Sequence, residues 1–141
     1  WTTEDSIRFY AKTGAVVNKY IHYLVIDSLF INGDMTQGEN IADIGGVAMG
    51  LEAFKQTKQF KENQTIAGLN PMQRFFLGYA YAWMVNMRPE ALATRVLTDV
   101  HSPAKFRVIG PLVNMPEFYA TFDVKAGDKI FLPENERVHI W

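Results

Sequence analysis

At 141 residues, with 14 basic and 15 acidic side chains and a net charge of −1, the chain is long enough for one domain with a sizeable core. The near-neutral balance argues against a nucleic-acid binder, which is usually basic. The absence of cysteine leaves no disulfide scaffold and no thiolate metal site.

The sequence opens at Trp1 without an initiator methionine or a signal peptide, and is read as the C-terminal portion of a longer protein. Thr2 or Thr3 caps a first helix, with Glu4 and Asp5 in its first turn. Ile7, Tyr10, Gly14, Val17, Ile21 and Leu24 then recur at helical spacing. His22 sits beside that stripe with no ligand partner spaced to it, and is read as a structural or surface histidine. Leu29-Phe30-Ile31 is a short apolar run and Asn32-Gly33-Asp34 a strong turn signal. Two short strands pairing across Asn32-Gly33, or an extended loop, are expected here.

A second helix is expected from about Glu39 to about Lys58. Its opening, Gly38-Glu39-Asn40-Ile41-Ala42-Asp43-Ile44-Gly45-Gly46, puts two carboxylates four apart on one helical face, with Gly46 and Gly50 further along the same stripe. Ile41, Ile44, Ala48 and Leu51 take the opposite side, which belongs to the core. An acidic pair beside a glycine stripe fits a second backbone packing close and a cationic partner, either a metal ion or an imidazolium. The plainer alternative is that acidic residues in a first turn offset the helix dipole. The lysine-rich stretch from Lys55 to Lys61 and the polar residues up to Gly68 read as a surface loop, or as a basic patch for an anionic partner.

Asn70-Pro71 is a cap and first-turn pair. From Phe75 to Val85 the next helix is apolar on nearly every side but too short for a bilayer, so a central buried helix is expected. Its aromatics Phe75, Phe76, Tyr79, Tyr81 and Trp83 suit core packing, with a substrate pocket as the alternative. Arg88-Pro89-Glu90 opens another helix, ending near Thr98. In Thr98-Asp99-Val100-His101-Ser102-Pro103, Ser102 is expected to cap the following helix with Pro103 at its first position. Asp99 can orient the His101 imidazole, and Arg107 falls in the second turn, where an ion pair with a neighbouring carboxylate is its structural role. Asn114 and Glu117 can form a capping box for a last short helix through Phe122. The tail from Asp123 to Trp141, with turns at Ala126-Gly127-Asp128 and Pro133-Glu134-Asn135, is expected to be irregular.

Taken together, the Glu39–Asp43 segment and the Asp99–Pro103 segment resemble the Glu-Asn-x-x-Asp and Asp-x-His-Ser-Pro motifs of the neprilysin-like (M13) zinc metallopeptidases, bacterial members above all. The resemblance runs along nearly the whole chain. It implies a mainly α fold: the helical C-terminal part of a zincin-like (thermolysin-like) catalytic domain, with the hairpin or loop before the zinc-ligand helix, residues 1–141 forming a single domain. It implies Glu39 as a zinc ligand and Asp43 as the carboxylate orienting a zinc-binding histidine. It further implies His101, positioned by Asp99, as the group that steadies the oxyanion, Arg107 as the donor to a substrate carbonyl, and Trp141 in packing.

That family takes two zinc-binding histidines and its general base from a His-Glu-x-x-His helix. His22, His101 and His139 lie far apart and do not make it. The resemblance therefore implies a peptide-hydrolysing zinc endopeptidase whose site is incomplete in this stretch, which alone is expected to be inactive and to bind zinc weakly or not at all. Its partners are peptide substrates and the remainder of the parent chain, with no nucleic acid. Secretion, a periplasmic location or a membrane anchor ahead of Trp1 accords with the family. The competing reading is a non-enzymatic helical module of degenerate peptidase origin that binds peptides or a partner.

Overall fold

The computed structural model describes residues 1–139, so Trp141 lies outside the described residues. Among the described residues, seven α-helices and one two-stranded hairpin follow one another in the order α1 (Thr3–Tyr20), β1 (Leu24–Ile26), β2 (Leu29–Phe30), α2 (Gly33–Lys55), α3 (Lys58–Lys61), α4 (Pro71–Ala82), α5 (Pro89–Thr98), α6 (Ala104–Leu112) and α7 (Pro116–Phe122). A 3-10 turn at Glu134–Glu136 is the regular structure of the tail. No helix among the described residues is long and apolar enough to cross a membrane.

Helix α1 starts where the sequence places it. Thr2 accepts from the Asp5 amide, and the Asp5 carboxylate accepts in return from the Thr2 amide, a reciprocal capping box. Its packed face is Thr13, Val16 and Tyr20. The neighbouring stripe of Ile7, Tyr10, Ile21 and Leu24 is largely exposed.

The chain then turns at Asp27, in left-handed conformation, and pairs antiparallel with Leu24 opposite Phe30 and Ile26 opposite Leu29. The hairpin therefore closes at Asp27-Ser28. Asn32-Gly33 starts α2 instead: the Asn32 side chain accepts from the Met35 amide at 3.0 Å. Gly33 is required there, because a Cβ would sit 2.6 Å from the Val17 carbonyl oxygen of α1. Glu39 and Asp43 consequently lie beyond the first turn of α2, and a dipole-offsetting role falls instead to Asp34.

Helix α2 is the spine of the fold. Ile41 and Ile44 join Val16, Tyr20, Ile31, Phe106 and Val138 in one core cluster. Val47 and Leu51 join Phe76, Leu112, Met115, Phe118 and Tyr119 in another. The expected apolar side of the helix is thus the packed one. At Lys55 the helix ends short of Lys58, because Thr57 caps the separate turn α3. The loop beyond is closed by an Ile66–Leu69 bridge, and Arg74 Nη1 donates to the Gln64 and Leu69 carbonyls.

Helix α4 departs from expectation. Its Asn70–Gln73 capping box forms, but the helix is packed on one side only. Pro71 and Phe76 are buried, whereas Leu77 and Tyr81 are exposed, as are Met84 and Val85 beyond its end. One apolar side faces α2, α3 and α7, and the other carries the exposed Leu77 and Tyr81. The Asn114–Glu117 box does not form either. Asn114 is buried, donating to the Gly110 carbonyl at 2.8 Å and accepting from the Val138 amide at 2.8 Å, which ties the tail to α6. Glu117 instead pairs with Lys55 at 3.0 Å.

Candidate functional site

The two sequence segments singled out above meet where the N-terminal half of α2 lies against the start of α6. His101 occupies the non-helical link between α5 and α6. Asp99 Oδ1 accepts from the His101 backbone amide at 2.9 Å and lies 2.8 Å from Nδ1 of its ring. One carboxylate oxygen thus holds both the backbone and the ring, which turns Nε2 outward. Nε2 lies 3.2 Å from Oε2 of Glu39, across the seam on α2. The other Asp99 oxygen accepts from Arg95 Nε at 2.9 Å. The His101 amide, the His101 ring and Arg95 together hold the Asp99 carboxyl down at about 2.

One turn along, Arg107 forms a bidentate fork with Asp43, Nε to Oδ2 and Nη2 to Oδ1, each at 2.7 Å. The pair is mostly enclosed, with side-chain exposures of 16% and 11%. The Asp43 hydrogen bonds, more than any other contact, raise the already high pKa of Arg107. Trp83 lies under the guanidinium at 4.1 Å from its ring centroid. The Tyr79 hydroxyl donates to the Arg107 carbonyl at 2.7 Å, and burial first, then the Asp43 charge, pushes that phenol up to about 12. Asp43 and Trp83 therefore fix the guanidinium, while Tyr79 holds the backbone of the same residue.

A cavity of about 300 Å³ opens beside this pair, lined among others by Trp83, Leu92, Arg95, His101, Phe106 and Arg107. Trp83 thus lines this cavity, whereas Phe76 is in the core, Phe75 and Tyr79 are half-buried against it and Tyr81 is exposed. On the solvent side of α2, Gly46 has nothing within 4 Å of an added Cβ, and Gly50 meets only Phe75 Cζ at 3.9 Å. The stripe beyond Glu39 and Asp43 is therefore open.

The structure brings Glu39, Asp43, Asp99, His101 and Arg107 into one continuous polar seam. Other histidines are elsewhere: His22 and His139 are exposed along a different surface. The lysine-rich stretch does not form an unopposed basic patch, since Lys55 pairs with Glu52 and Glu117 and Lys58 with Glu62.

Ser102 corrects an expectation. Helix α6 begins at Ala104 without a side-chain cap. The Ser102 hydroxyl points the other way and donates to Asn40 at 2.7 Å. Sequence reasoning missed the roles of Asn40 and Arg95, and it allowed Arg107 an ion pair without identifying Asp43 as the partner. Asn40 carried a signal, an amide one residue from Glu39 on the apolar side of the helix.

A carboxylate is among the side chains that ligate zinc, and Glu39 presents one, partly exposed, at the rim of the open stripe. Among the described residues no three His, Asp or Glu side chains gather into a metal-holding group. This chain therefore fits as the source of one zinc ligand, with others required from elsewhere.

Comparison with known proteins bears on that arrangement. The profile described as peptidase family M13 matches residues 1–138. The chain is 37% identical over 141 residues to the neutral endopeptidase of Lactobacillus helveticus, covering 100% of this chain and 20% of that protein. It is 34% identical over 146 residues to the human membrane metallo-endopeptidase-like 1, covering 100% of this chain and 18% of that protein. Among solved structures it superposes on the Mycobacterium tuberculosis zinc metalloprotease Zmp1, in complex with inhibitor, with a TM-score of 0.90 and 36% identity, covering 100% of this chain and 22% of that one. The chain thus spans only 18% to 20% of the length of these curated relatives.

Proposed function

This chain belongs to peptidase family M13, and from that premise we propose that it is the C-terminal part of the catalytic domain of a zinc metalloendopeptidase that hydrolyses peptides. The observation that carries the proposal is the convergence of Glu39, His101, Asp99, Asp43 and Arg107 on one seam. A module that only bound a partner would have no use for an accessible carboxylate facing an oriented imidazole.

In this reading Glu39 is a zinc ligand, and the remaining ligands come from a helix elsewhere in the parent chain. Zinc, when bound, would supply Lewis acidity toward water and the scissile carbonyl. The chain's own residues orient and stabilise. With Nδ1–H donated to Asp99, the His101 ring in its imidazolium form presents Nε2–H as a hydrogen-bond donor toward the oxyanion of the tetrahedral intermediate. Arg107 offers a substrate carbonyl the Nη1 edge that Asp43 does not take. The cavity beside Trp83 and Phe106 accepts a substrate side chain. Asp43 holds Arg107 on one side and orients a zinc-binding histidine on the other. The open Gly46–Gly50 stripe takes the backbone of the ligand-bearing helix. Export or membrane anchoring completes the proposal, in keeping with the human relative being called a membrane metallo-endopeptidase-like protein.

The test is a pair of variants in the full-length protein. Glu39→Val removes bound zinc and activity together. His101→Ala keeps zinc and keeps KM within a few-fold, while kcat falls by about 10²–10³. Full metal occupancy in Glu39→Val, or loss of zinc in His101→Ala, rules out the assignment.

A further inference from the structure

The imidazole of His101 sits in a link with no helical hydrogen-bond ladder, so something must set its height above α2. Ser102, its neighbour, is 2% exposed and Asn40, the neighbour of Glu39, is 1% exposed. The hydrogen bond between them, at 2.7 Å, joins residues 62 apart in sequence.

Its polarity is fixed along a whole chain of groups. The Thr36 hydroxyl donates to the Asn32 carbonyl at 2.9 Å and so can only accept from Asn40 Nδ2, which lies 2.9 Å away. The amide nitrogen of Asn40 must therefore face Thr36, which leaves its oxygen to accept from Ser102. The last carbonyl in the chain belongs to the residue that caps α2. No member of this chain can rotate without stranding a buried polar group. An apolar contact would hold α6 on α2 but would leave the distance free to slide.

We propose that Asn40 and Ser102 are positioning residues that fix the His101 imidazole opposite Glu39, through the hydrogen-bond chain that ends on the Asn32 carbonyl. The inference rests on the oxyanion-stabilising reading of His101 above. Overall docking of α6 on α2 does not depend on this bond, because the Asp43–Arg107 fork and the packing of Phe106 against Ile41 and Ile44 hold the same two helices. The bond decides where the link sits, and the positions of reacting groups tolerate little error: a displacement of about 1 Å can cost as much as 100-fold in rate.

A double-mutant cycle in the full-length, zinc-loaded protein tests this. Ser102→Ala should retain zinc and keep KM within about three-fold while lowering kcat roughly ten-fold. Affinity for a phosphinic peptide, whose tetrahedral anion mimics the oxyanion, should fall with kcat, a readout independent of turnover. Ser102→Thr keeps the donor and should recover most of the loss. In a His101→Ala background, Ser102→Ala should have no further effect on kcat, because it acts through the missing ring.

An unchanged kcat in Ser102→Ala, or the same loss with and without His101, overturns the inference. If His101→Ala itself leaves kcat intact, the oxyanion reading has failed and the inference fails with it, a result the single mutants distinguish. Should Ser102→Ala not fold, Thr36→Val at the far end of the chain takes its place. Its kcat should fall in the wild-type background and not in the His101→Ala background, and an unchanged kcat is again a refutation.

Discussion

Along α2, the stretch from Thr36 to Asp43 adds directed polar bonds to the packing of Ile41, whereas the stretch from Val47 to Phe54 meets its neighbours through aromatic and aliphatic side chains. In the first stretch Asn40 reaches Ser102, Glu39 reaches His101 and Asp43 forks onto Arg107. In the second, Leu51 is packed with Phe76 and Phe118, and Phe54 stacks on Phe75 with centroids 5.5 Å apart. Dispersion and burial are nearly indifferent to direction, so the aromatic half supplies cohesion. Hydrogen bonds between ionised or buried groups fail steeply with misalignment, so the polar half supplies position. One helix thus serves both ends, and damage to each should have a different signature.

The largest effect is expected in the aromatic half. Phe76→Ala removes a ring with edge contacts to Phe75 at 5.4 Å and Phe118 at 5.6 Å. It should cost about 3–5 kcal/mol of stability, read by urea unfolding, with kcat per folded molecule unchanged. A fall in kcat with little loss of stability would erase the distinction between the halves.

Asp43→Ala in the polar half should come next. It strands Arg107 in a mostly enclosed position and should cost about 3 kcal/mol, while KM rises because the guanidinium is no longer aimed. The expected separation from Phe76→Ala is kinetic: KM moves here and not there, in steady-state assays on one peptide. An unchanged KM would mean that Arg107 is aimed without its fork.

A smaller effect should appear as a pH dependence. The Asp99 carboxyl is lowered from 3.8 to about 2 by the His101 amide, the His101 ring and Arg95. A depressed native pKa means that its contribution is complete above the unfolded value and is lost as pH falls through the folded one. The stability gap between wild type and Asp99→Asn should therefore stay level down to about pH 4 and close between about pH 4 and pH 2. Urea melts across that range measure it, and a gap that persists at the acid end would show that shape, not charge, holds His101.

The smallest effect should come from a polar tie at the end of the aromatic half, between Lys55 and Glu117, whose side chains are 26% and 35% exposed. Glu117→Gln should cost under about 1 kcal/mol, since partly solvated pairs contribute little. A larger cost by thermal melting would put directed bonds at the centre of that half as well.

How far these two regions could be read in advance differs for a physical reason. Caps and helix starts were legible where the signal lies within one turn: Thr2 as the cap of α1, Asn70-Pro71 at the start of α4 and Pro89 at the start of α5. The resemblance of two short motifs named Glu39, Asp43, Asp99 and His101, the wider family resemblance named Arg107, and the Glu39, Asp43, Gly46 and Gly50 face of α2 came from helical spacing alone. Local signals failed where two local structures use the same residues. Asn32-Gly33 suits a hairpin turn and a helix start equally, and only the approach of Gly33 to Val17 of α1 decided between them. Ser102 and Asn114 have the chemistry of caps, yet each spent its side chain on a partner far along the chain, Asn40 and Val138.

Sequence by itself therefore determined the helical class, the apolar side of α2 and the chemical kinds of group available, because periodicity and side-chain chemistry are properties of the chain read locally. Tertiary structure alone decided that Arg107 would fork onto Asp43, that Trp83 would line a cavity while Phe76 entered the core, and that one serine hydroxyl would set the link carrying His101. Those outcomes depend on which groups meet across tens of residues, and a buried donor takes whichever acceptor the packing brings within about 3 Å.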